Sequence, residues 1–205
     1  MFFKGESNYT LEDVQKIIEK SYEKKDNMYM ASEYFDEQGN SLAKTETYIN
    51  GNITCSKQYS KSELEAELII NSNDNSLYTI MHKEKNIYFH SNYPIDTNLE
   101  TNEFIYSAAR NETNENQGIY EYIGKEEIDG KECIKVSLTD IVDDLKSVTN
   151  YYIDINSGYI LKSENIEDGK VIMSLVNTYE IGTVTDENAS GFDISKYPEY
   201  TLVED

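Results

Sequence analysis

Two histidines and two cysteines are the side chains of this sequence best suited to metal or nucleophilic chemistry. His82 and His90 lie on adjacent predicted strands, while Cys55 and Cys133 are far apart and form no Cys-x-x-Cys pair. A zinc site needs several ligands at characteristic short spacings, which this set does not provide. The sequence also lacks a glycine-rich phosphate loop and a nucleophile elbow. We therefore expect two ordinary thiols, no catalytic, cofactor or metal site, and a protein that is not an enzyme.

Carboxylates are abundant, and one cluster of them could hold a weakly bound cation. Asp140, Asp143 and Asp144 lie close together in the sequence. Their spacing differs from that of a calcium-binding loop, and the glycine and closing glutamate of such a loop are missing. The alternative is that these aspartates lie on an exposed loop or helix face.

A second set of carboxylates forms a regular stripe on one predicted strand. Glu63, Glu65 and Glu67 alternate with apolar residues, so they point to one side of the strand. Charge complementarity would allow this stripe to dock a basic partner. The alternative is a solvated edge that is kept polar against aggregation. These three glutamates are the candidate partner-binding residues.

The overall charge limits the classes of partner. Asp and Glu number 39 against 18 Lys and Arg, which gives a net charge of -21. Such a field repels phosphate backbones and disfavours docking on an anionic membrane by charge, so we expect no nucleic-acid partner. The sequence has no apolar run long enough for a transmembrane helix. We expect membrane association only through a lipid anchor upstream of the sequence given.

The elements that position these residues begin with one helix. Thr10 is a good N-cap, and Asp13 stands where a capping box places its acid. Apolar residues then recur at helical spacing on one face: Leu11, Val14, Ile17, Ile18 and Tyr22. The pattern predicts a helix from about Leu11 to about Lys24 that lies across one side of a sheet.

After Asp26 the period of the apolar residues changes from that of a helix to that of a strand. Short turn pairs recur between the alternating segments, among them Asn50-Gly51, Asp129-Gly130 and Asp168-Gly169. The clearest predicted strand is Ser62 to Ile70, whose alternation places Leu64, Ala66, Leu68 and Ile70 on the side opposite the glutamates. The segment 141–148 is ambiguous and could form one or two helical turns.

These short connections predict sequential antiparallel pairing of about ten strands. We predict a mainly β (α+β) fold, with a large curved antiparallel sheet or incomplete β-barrel and the N-terminal helix on its concave side. The whole chain, 1–205, is predicted to form a single domain, in which residues 94–118 are an inserted flap or loop. The edge strands of such a sheet also permit a homodimer by strand exchange.

Two runs in the second half resemble the LolA/LolB-like lipoprotein-carrier proteins. The first, Tyr122 to Val136, has a strand, an acid-Gly-basic turn and a second strand. The second, Tyr151 to Lys162, has an aromatic-Ile-Asp hairpin with a polar turn, a Gly and a Leu-Lys ending. The resemblance covers about 119–193 and implies an incomplete barrel with helices over its concave side. It also implies an extracytoplasmic place, often with a lipid anchor.

Within that superfamily, the size and Asn/Lys/Tyr-rich character are similar to those of a germination lipoprotein of spore-forming bacteria. This resemblance implies a non-enzymatic adaptor or activator whose protein partner is a zinc-dependent N-acetylmuramoyl-amidase of the spore cortex. The alternative that the superfamily implies is a carrier that holds lipid or acyl chains in the concave sheet. The high acidity and the single arginine, Arg110, depart from the lipoprotein shuttles.

Overall fold

The computed structural model describes residues 9–22, 25–93, 119–142 and 145–204. Within these residues the chain forms one α-helix, α1 (Leu11–Glu19), and twelve strands. The strands are β1 (Asn27–Asp36), β2 (Ser41–Asn50), β3 (Ile53–Ser60), β4 (Glu63–Asn71), β5 (Ser76–Met81), β6 (Asn86–His90), β7 (Ile119–Ile128), β8 (Lys131–Val142), β9 (Leu145–Asp154), β10 (Ile160–Glu167), β11 (Lys170–Ile181) and β12 (Thr201–Glu204).

The strands are hydrogen-bonded in the order β12-β6-β5-β4-β3-β2-β1-β11-β10-β9-β8-β7, an open sheet whose end strands do not pair. Consecutive strands pair antiparallel from β1 to β6 and from β7 to β10. The predicted mainly β fold with one large, mostly antiparallel sheet is therefore confirmed. The sequence did not predict β12, which joins β6 in parallel. The curvature of the sheet and the position of the helix on a concave side stay predictions.

The chain divides into two compact units, which are described separately. Unit 1 is Met1–Glu23 with Asn98–Leu175, and unit 2 is Lys24–Thr97 with Val176–Asp205. The assignment of the whole chain to a single domain stays a prediction. The predicted flap at 94–118 lies outside the described residues.

Helix α1 begins with the predicted capping box. Thr10 has extended backbone angles, and its hydroxyl accepts a hydrogen bond from the Asp13 backbone N–H at 3.2 Å. In return the Thr10 backbone N–H donates to Asp13 Oδ2 at 2.8 Å. Two of the unpaired N–H groups at the start of the helix are thereby satisfied, so the position of the N-cap is confirmed.

The helix ends earlier than its predicted limit near Lys24. It stops at Glu19 and tightens into a short 3₁₀ turn, Lys20–Tyr22. The hydroxyl of Ser21 donates to the Ile18 carbonyl at 2.7 Å, and the ammonium of Lys20 donates to the Ile155 carbonyl at 2.6 Å. These side chains satisfy the open carbonyl ends of the helix and of a neighbouring loop, which ends the regular helix.

The apolar face of α1 forms the core of unit 1. Val14, Ile17 and Ile18 are buried on this face. They contact buried residues of β8, β9 and β10, namely Ile134, Val136, Ile153 and Ile160. The predicted docking of the helix on a sheet is confirmed within unit 1, and the core residues of the helix are those that the helical spacing predicted.

Gly158 allows a close approach of helix α1 to the β9–β10 turn in unit 1. It lies in the turn between β9 and β10, has a φ of +75°, and is buried. A Cβ atom at this position would lie closer than 3.0 Å to the carbonyl oxygen of Ile17. Glycine is therefore required here both for the backbone angle and for the approach of α1.

We predict that Gly158→Ala lowers the free energy of unfolding by about 3 kcal/mol or more, because backbone strain adds to a clash with the helix. Gly169→Ala is the matched control. Gly169 has a φ of +76° and nothing within 4 Å of an added Cβ, so only the strain of about 1–2 kcal/mol applies. Urea denaturation of both variants measures the difference. Equal losses would contradict the close approach of α1 to this turn.

Unit 2 is organised by one cross-strand row on a single face of β1 to β6. Residues that are directly paired in an antiparallel ladder share a face. The row runs Tyr29, Tyr48, Cys55, Ile69, Tyr78 and Phe89, one residue from each strand in order. The next row on the same face contains Glu46, Lys57, Glu67, Ile80 and Ile87. An apolar row thus lies beside a partly charged one.

The C-terminal segment, residues 182–200, covers part of the apolar row. Val184, Ala189 and Phe192 of this segment belong to the same cluster as the buried Ile80 and Ile87. The cluster also contains Cys55, Ile69 and several tyrosines. The core of unit 2 is therefore sealed by a segment for which the sequence pattern predicted no role.

Two local predictions need correction. The apolar side predicted for β4 omitted Ile69, which lies on the face of the glutamates and is only 8% exposed, whereas Leu68 and Ile70 are half-buried. The C-terminal segment covers only part of that face, so alternation within β4 alone could not identify it. The described residues of the ambiguous segment 141–148 are not helical, because β8 continues to Val142 and β9 begins at Leu145.

The tight turns were predicted correctly where two residues suffice. Asp129-Gly130 and Asp168-Gly169 have positive φ at both positions, as type I′ hairpins require. At Asn50-Gly51 the hairpin is present, but the loop residues are Gly51 and Asn52. No helix in the described part of the chain is long and apolar enough to cross a membrane.

Candidate functional site

The predicted glutamate stripe divides into two parts on β4. Glu63 and Glu65 are exposed, whereas the Glu67 side chain is only 18% exposed. Glu67 lies on the face that the C-terminal segment covers and interacts with residues of its own chain. As a partner-binding set, the three glutamates stay a prediction, and Glu67 has a second, internal role.

Glu67 is the centre of a polar cluster with the C-terminal segment. Its Oε1 accepts a hydrogen bond from the Tyr197 hydroxyl at 3.2 Å. The Nε2 of His82 lies 3.0 Å from the same oxygen but outside hydrogen-bond alignment, and Nδ1 of His82 lies 2.8 Å from the Tyr200 hydroxyl. The cluster therefore joins β4, the β5–β6 turn and the C-terminal segment.

Stacked aromatic rings extend this attachment. Phe192 stacks on Tyr78 with 3.9 Å between ring centroids and an interplanar angle of 11°. Tyr197 is nearly parallel to Phe192 at 6.0 Å, and Tyr200 meets Tyr197 edge-on at 5.3 Å. Offset and edge-to-face rings add specific attraction to the buried area. Burial and the charge of Glu67 also raise the pKa of Tyr197, so its hydroxyl stays a donor.

The histidines and cysteines are not grouped as metal ligands in the described residues. No group of three or more His, Cys, Asp or Glu side chains there could hold a metal ion. Both cysteines are buried and unpaired, and burial together with Asp154 raises the pKa of Cys133 to about 11. A thiol with a raised pKa is a poor nucleophile at neutral pH. The aspartate cluster lies outside the side chains that the structure describes.

Three tyrosines converge on one carboxylate at the opposite end of the same face. Glu46 accepts hydrogen bonds from the hydroxyls of Tyr29 and Tyr48, each at 3.3 Å, and of Tyr59 at 3.1 Å. Lys44 completes the group with an ammonium 2.7 Å from Glu46 Oε1. Sequence inspection did not identify this cluster, although alternate tyrosines on facing strands could have indicated it.

The tyrosine–Glu46 cluster shifts the acidity of all its members. Burial acts to raise the pKa of Glu46, but the hydrogen bonds and charge of Lys44 and the tyrosine donors outweigh it and lower that pKa. Burial, followed by the negative charge of Glu46, raises the pKa of each tyrosine to about 12. The carboxylate thus stays ionised and the hydroxyls stay protonated across the physiological range.

A cleft opens beside this cluster within unit 2. Its volume is about 220 Å³. It is lined by Tyr29, Tyr48, Glu180, Thr183, Val184 and Asn188. The rings of Tyr29 and Tyr48 are 5.0 Å apart at an angle of 41°. The cleft combines aromatic walls with a carboxylate at its rim, an arrangement that suits a cationic group.

Hydrogen bonds fix the walls of this cleft. The Asn27 side chain donates to the Val184 carbonyl at 2.8 Å and accepts from the Val184 N–H at 2.9 Å. The Asn188 side-chain oxygen accepts from the Thr185 N–H at 3.1 Å and from its hydroxyl at 2.9 Å. Val184 and the loop with Asn188 are therefore held in place at the cleft.

Unit 1 contains a similar but closed arrangement. The Tyr152 hydroxyl donates to Glu164 at 2.6 Å, and Lys162 lies 2.6 Å from the same carboxylate. The ammonium of Lys135 lies 4.9 Å from the Tyr152 ring centroid. Tyr152 is only 3% exposed, so this group stabilises the unit and offers no ligand surface.

Carbon-13 NMR of labelled tyrosine tests the acidity of the tyrosine–Glu46 cluster. We expect Tyr29, Tyr48 and Tyr59 to ionise near pH 12 and not near the ordinary value of 10. Because folding favours their neutral forms, the stability linked to them is present below pH 10 and is lost as the pH rises through about 12. Glu46→Gln should lower these pKa values, whereas Glu164→Gln should leave them unchanged. Ionisation of all three near pH 10 in folded protein would contradict the cluster.

The same linkage has the opposite sign for Glu46. Because its pKa is lowered from 4.5 in the folded protein, its contribution to stability is present above pH 4.5 and is lost as the pH falls through the lowered value.

We predict that Glu67→Ala releases the C-terminal segment by removing an acceptor of Tyr197. The expected loss is about 1–3 kcal/mol of unfolding free energy, with faster hydrogen exchange at β12. Glu65→Ala is the matched control on the same strand, and its effect should stay within about 0.5 kcal/mol because the side chain is exposed. Equal hydrogen exchange at β12 in both variants would show that Glu67 does not hold the segment.

Comparisons with known proteins support the fold. No family model matches the sequence, and no curated protein sequence matches it. The crystal structure of MucB is similar over 91% of this chain and 65% of MucB, with 10% identity and a TM-score of 0.54. The Pseudomonas aeruginosa MucA/MucB complex matches over 88% of this chain and 60% of that chain, with 11% identity and a TM-score of 0.53.

The match to the Mycobacterium tuberculosis lipoprotein LppX covers 85% of this chain and 96% of the LppX chain, with 10% identity and a TM-score of 0.48. The chain spans somewhat less than two thirds of the length of the matched chains, 65% in the first structure and 60% in the second. At such identities the likeness concerns the fold alone. The fold of this chain is similar to that of MucB, a neighbour with the LolA/LolB-like fold that the two runs in the second half predicted.

Proposed function

We propose that this chain is a non-enzymatic extracytoplasmic domain that acts by binding another protein. One observation carries the proposal. In both units, segments of the chain itself occupy the core that the structure describes. Helix α1 fills the face of β8 to β10 in unit 1, and the C-terminal segment fills the apolar row in unit 2. The cleft of about 220 Å³ is below the roughly 300–1,000 Å³ of typical small-molecule pockets. The outer side of α1, where Glu12, Lys16 and Glu19 are exposed, offers polar surface to a partner.

The known use of the fold supports this proposal. A solved structure with this fold holds MucB in complex with MucA. That finding concerns MucB, but it gives a precedent for a protein of similar fold in complex with another protein. The net charge of -21 favours a basic partner surface and fast, salt-dependent association.

We propose the identity of the partner from the resemblance of this chain to the germination lipoprotein GerS. The partner is then a zinc-dependent N-acetylmuramoyl-amidase of the spore cortex, and the domain is held at the membrane by a lipid anchor. An adaptor that binds the zinc-loaded form of an enzyme more tightly must raise the zinc affinity of that enzyme by the same factor. Activation would require no chemistry from the adaptor. A homodimer by strand exchange would give a two-plus-two complex.

Zinc titration of the amidase with and without this domain tests the activator role. We expect tighter zinc binding, by roughly five- to 150-fold, at concentrations where the complex forms. Native mass spectrometry establishes the complex and its stoichiometry first. A stable complex with unchanged zinc affinity would exclude activation through the metal while leaving protein binding intact. Absence of a complex with this amidase would exclude the partner.

A second candidate function is the carriage of lipid, which one observation favours. The face of β4 and β5 opposite the C-terminal segment has half-buried apolar side chains, among them Leu68, Ile70 and Met81. Such a face can bind an acyl chain. Native mass spectra after gentle purification distinguish the two functions, since a co-purifying lipid of defined mass would favour the carrier.

A further inference from the structure

The cleft between β1, β2 and the C-terminal segment leaves part of its two aromatic walls open, although both rings also pack against the core cluster of unit 2. Tyr29 and Tyr48 are half-buried, although their neighbours in the same row, Cys55 and Ile69, are buried. Phe192 stacks on Tyr78, further along the row, and is not among the residues that line the cleft. The row is thus closed at one end and open at the Tyr29–Tyr48 end.

The chemistry of the open end selects for positive charge. Aromatic faces attract cations, and the ammonium of Lys57 already lies 6.0 Å from the Tyr48 ring centroid. Both tyrosine hydroxyls donate hydrogen bonds to Glu46. These bonds fix the orientation of the two rings and point the O–H dipoles toward the tyrosine–Glu46 cluster. An anion would meet a carboxylate at the rim, so phosphate or carboxylate ligands are disfavoured.

Glu180 provides the negative charge that a cationic ligand in the cleft would need, and Glu46 does not. Glu46 is compensated by Lys44, whereas none of the ion pairs among the described residues uses Glu180. Glu180 is exposed at the rim of the cleft, and Asp186, bonded by Asn50 at 2.8 Å, lies in the adjoining loop. A cation in the cleft would therefore gain a carboxylate that has no competing partner.

We propose that this cleft binds an arginine side chain from a protein partner, with its guanidinium against Tyr29 and Tyr48 and paired with Glu180. Arginine suits the site because its planar group stacks on aromatic rings and pairs with a carboxylate in two parallel hydrogen bonds. The cleft has the volume of a side chain and fixed walls, as an anchor pocket in a protein interface requires. The inference rests on the proposed function, since it names one contact of that protein binding.

The first experiment is an NMR titration of the full chain with a capped Gly-Arg-Gly peptide at low ionic strength. We expect shift changes confined to amides around Tyr48, Val184 and Asn188. The same peptide with citrulline, which is isosteric but neutral, should bind more weakly by at least about fivefold. Equal binding of both peptides, or shifts scattered over the acidic surface, would overturn the proposal.

Variants separate the cleft from the general acidity of the chain. Glu180→Gln and Tyr48→Leu should each weaken arginine-peptide binding by roughly two- to fivefold. Glu63→Gln removes the same charge from an exposed site in the same unit and should have no effect. Circular dichroism checks that Tyr48→Leu is folded, and Glu180→Gln tests the site independently of folding. An equal loss in Glu63→Gln would show that only net charge matters.

The final experiment places the cleft in the protein complex. Glu180→Gln should weaken the complex with the protein partner by a factor similar to that for the peptide. If the complex forms with unchanged affinity, the cleft is not an interface anchor, although protein binding stands. If no protein complex forms at all, the proposed function fails, and the peptide titration still reports whether the cleft recognises arginine. Stronger binding of choline than of the peptide would show that the cleft prefers a small cation. It would contradict the proposal that a protein partner supplies the cationic group.

Discussion

The row of paired residues from Tyr29 to Phe89 constrains most of unit 2. Each member lies directly opposite the next on a neighbouring strand, so all of them share one face. A shift of one residue in any pairing would move part of this row to the other face and leave the C-terminal segment without a surface to cover. The register also places Glu46 and Glu67 beside the row, where each is half-buried. The core, the polar clusters and the cleft therefore depend on the same pairings.

Partly buried carboxylates need donors, and this chain obtains them mainly from tyrosine. Glu46, Glu67 and Glu164 each accept at least one tyrosine hydroxyl bond. With 39 acidic against 18 basic side chains, most carboxylates cannot be paired with a cation. A neutral hydroxyl donor stabilises an ionised carboxylate without adding charge. This explains, in physical terms, why 18 tyrosines suit so acidic a sequence and why they recur on strands.

Features that are encoded locally could be predicted from the sequence. The Thr10 capping box and the Asp129-Gly130 turn depend on two to four neighbouring residues, and both are found where the sequence placed them. Features that depend on distant contacts could not be predicted. Ile69 is buried because a segment from the C-terminus covers it, and β12 forms because Thr201 follows that segment to the edge of β6. The sequence identified the three glutamates of the stripe. It could not identify the partners of Glu67 within the chain, Tyr197 and His82, because both are distant in the sequence.

The same distinction explains why the tyrosine cleft escaped sequence analysis. Tyr29 and Tyr48 are ordinary strand residues by pattern, and only the register makes them neighbours. Val184, which completes the cleft, comes from beyond β11 and is fixed there by a single asparagine, Asn27. Because the C-terminal segment covers the Tyr78 end of the row and leaves the Tyr29 end open, one aromatic surface serves two purposes. Its closed end stabilises the unit, and its open end lies beside Glu180, which no ion pair within the described part of the chain uses, so that its charge suits the cation proposed above.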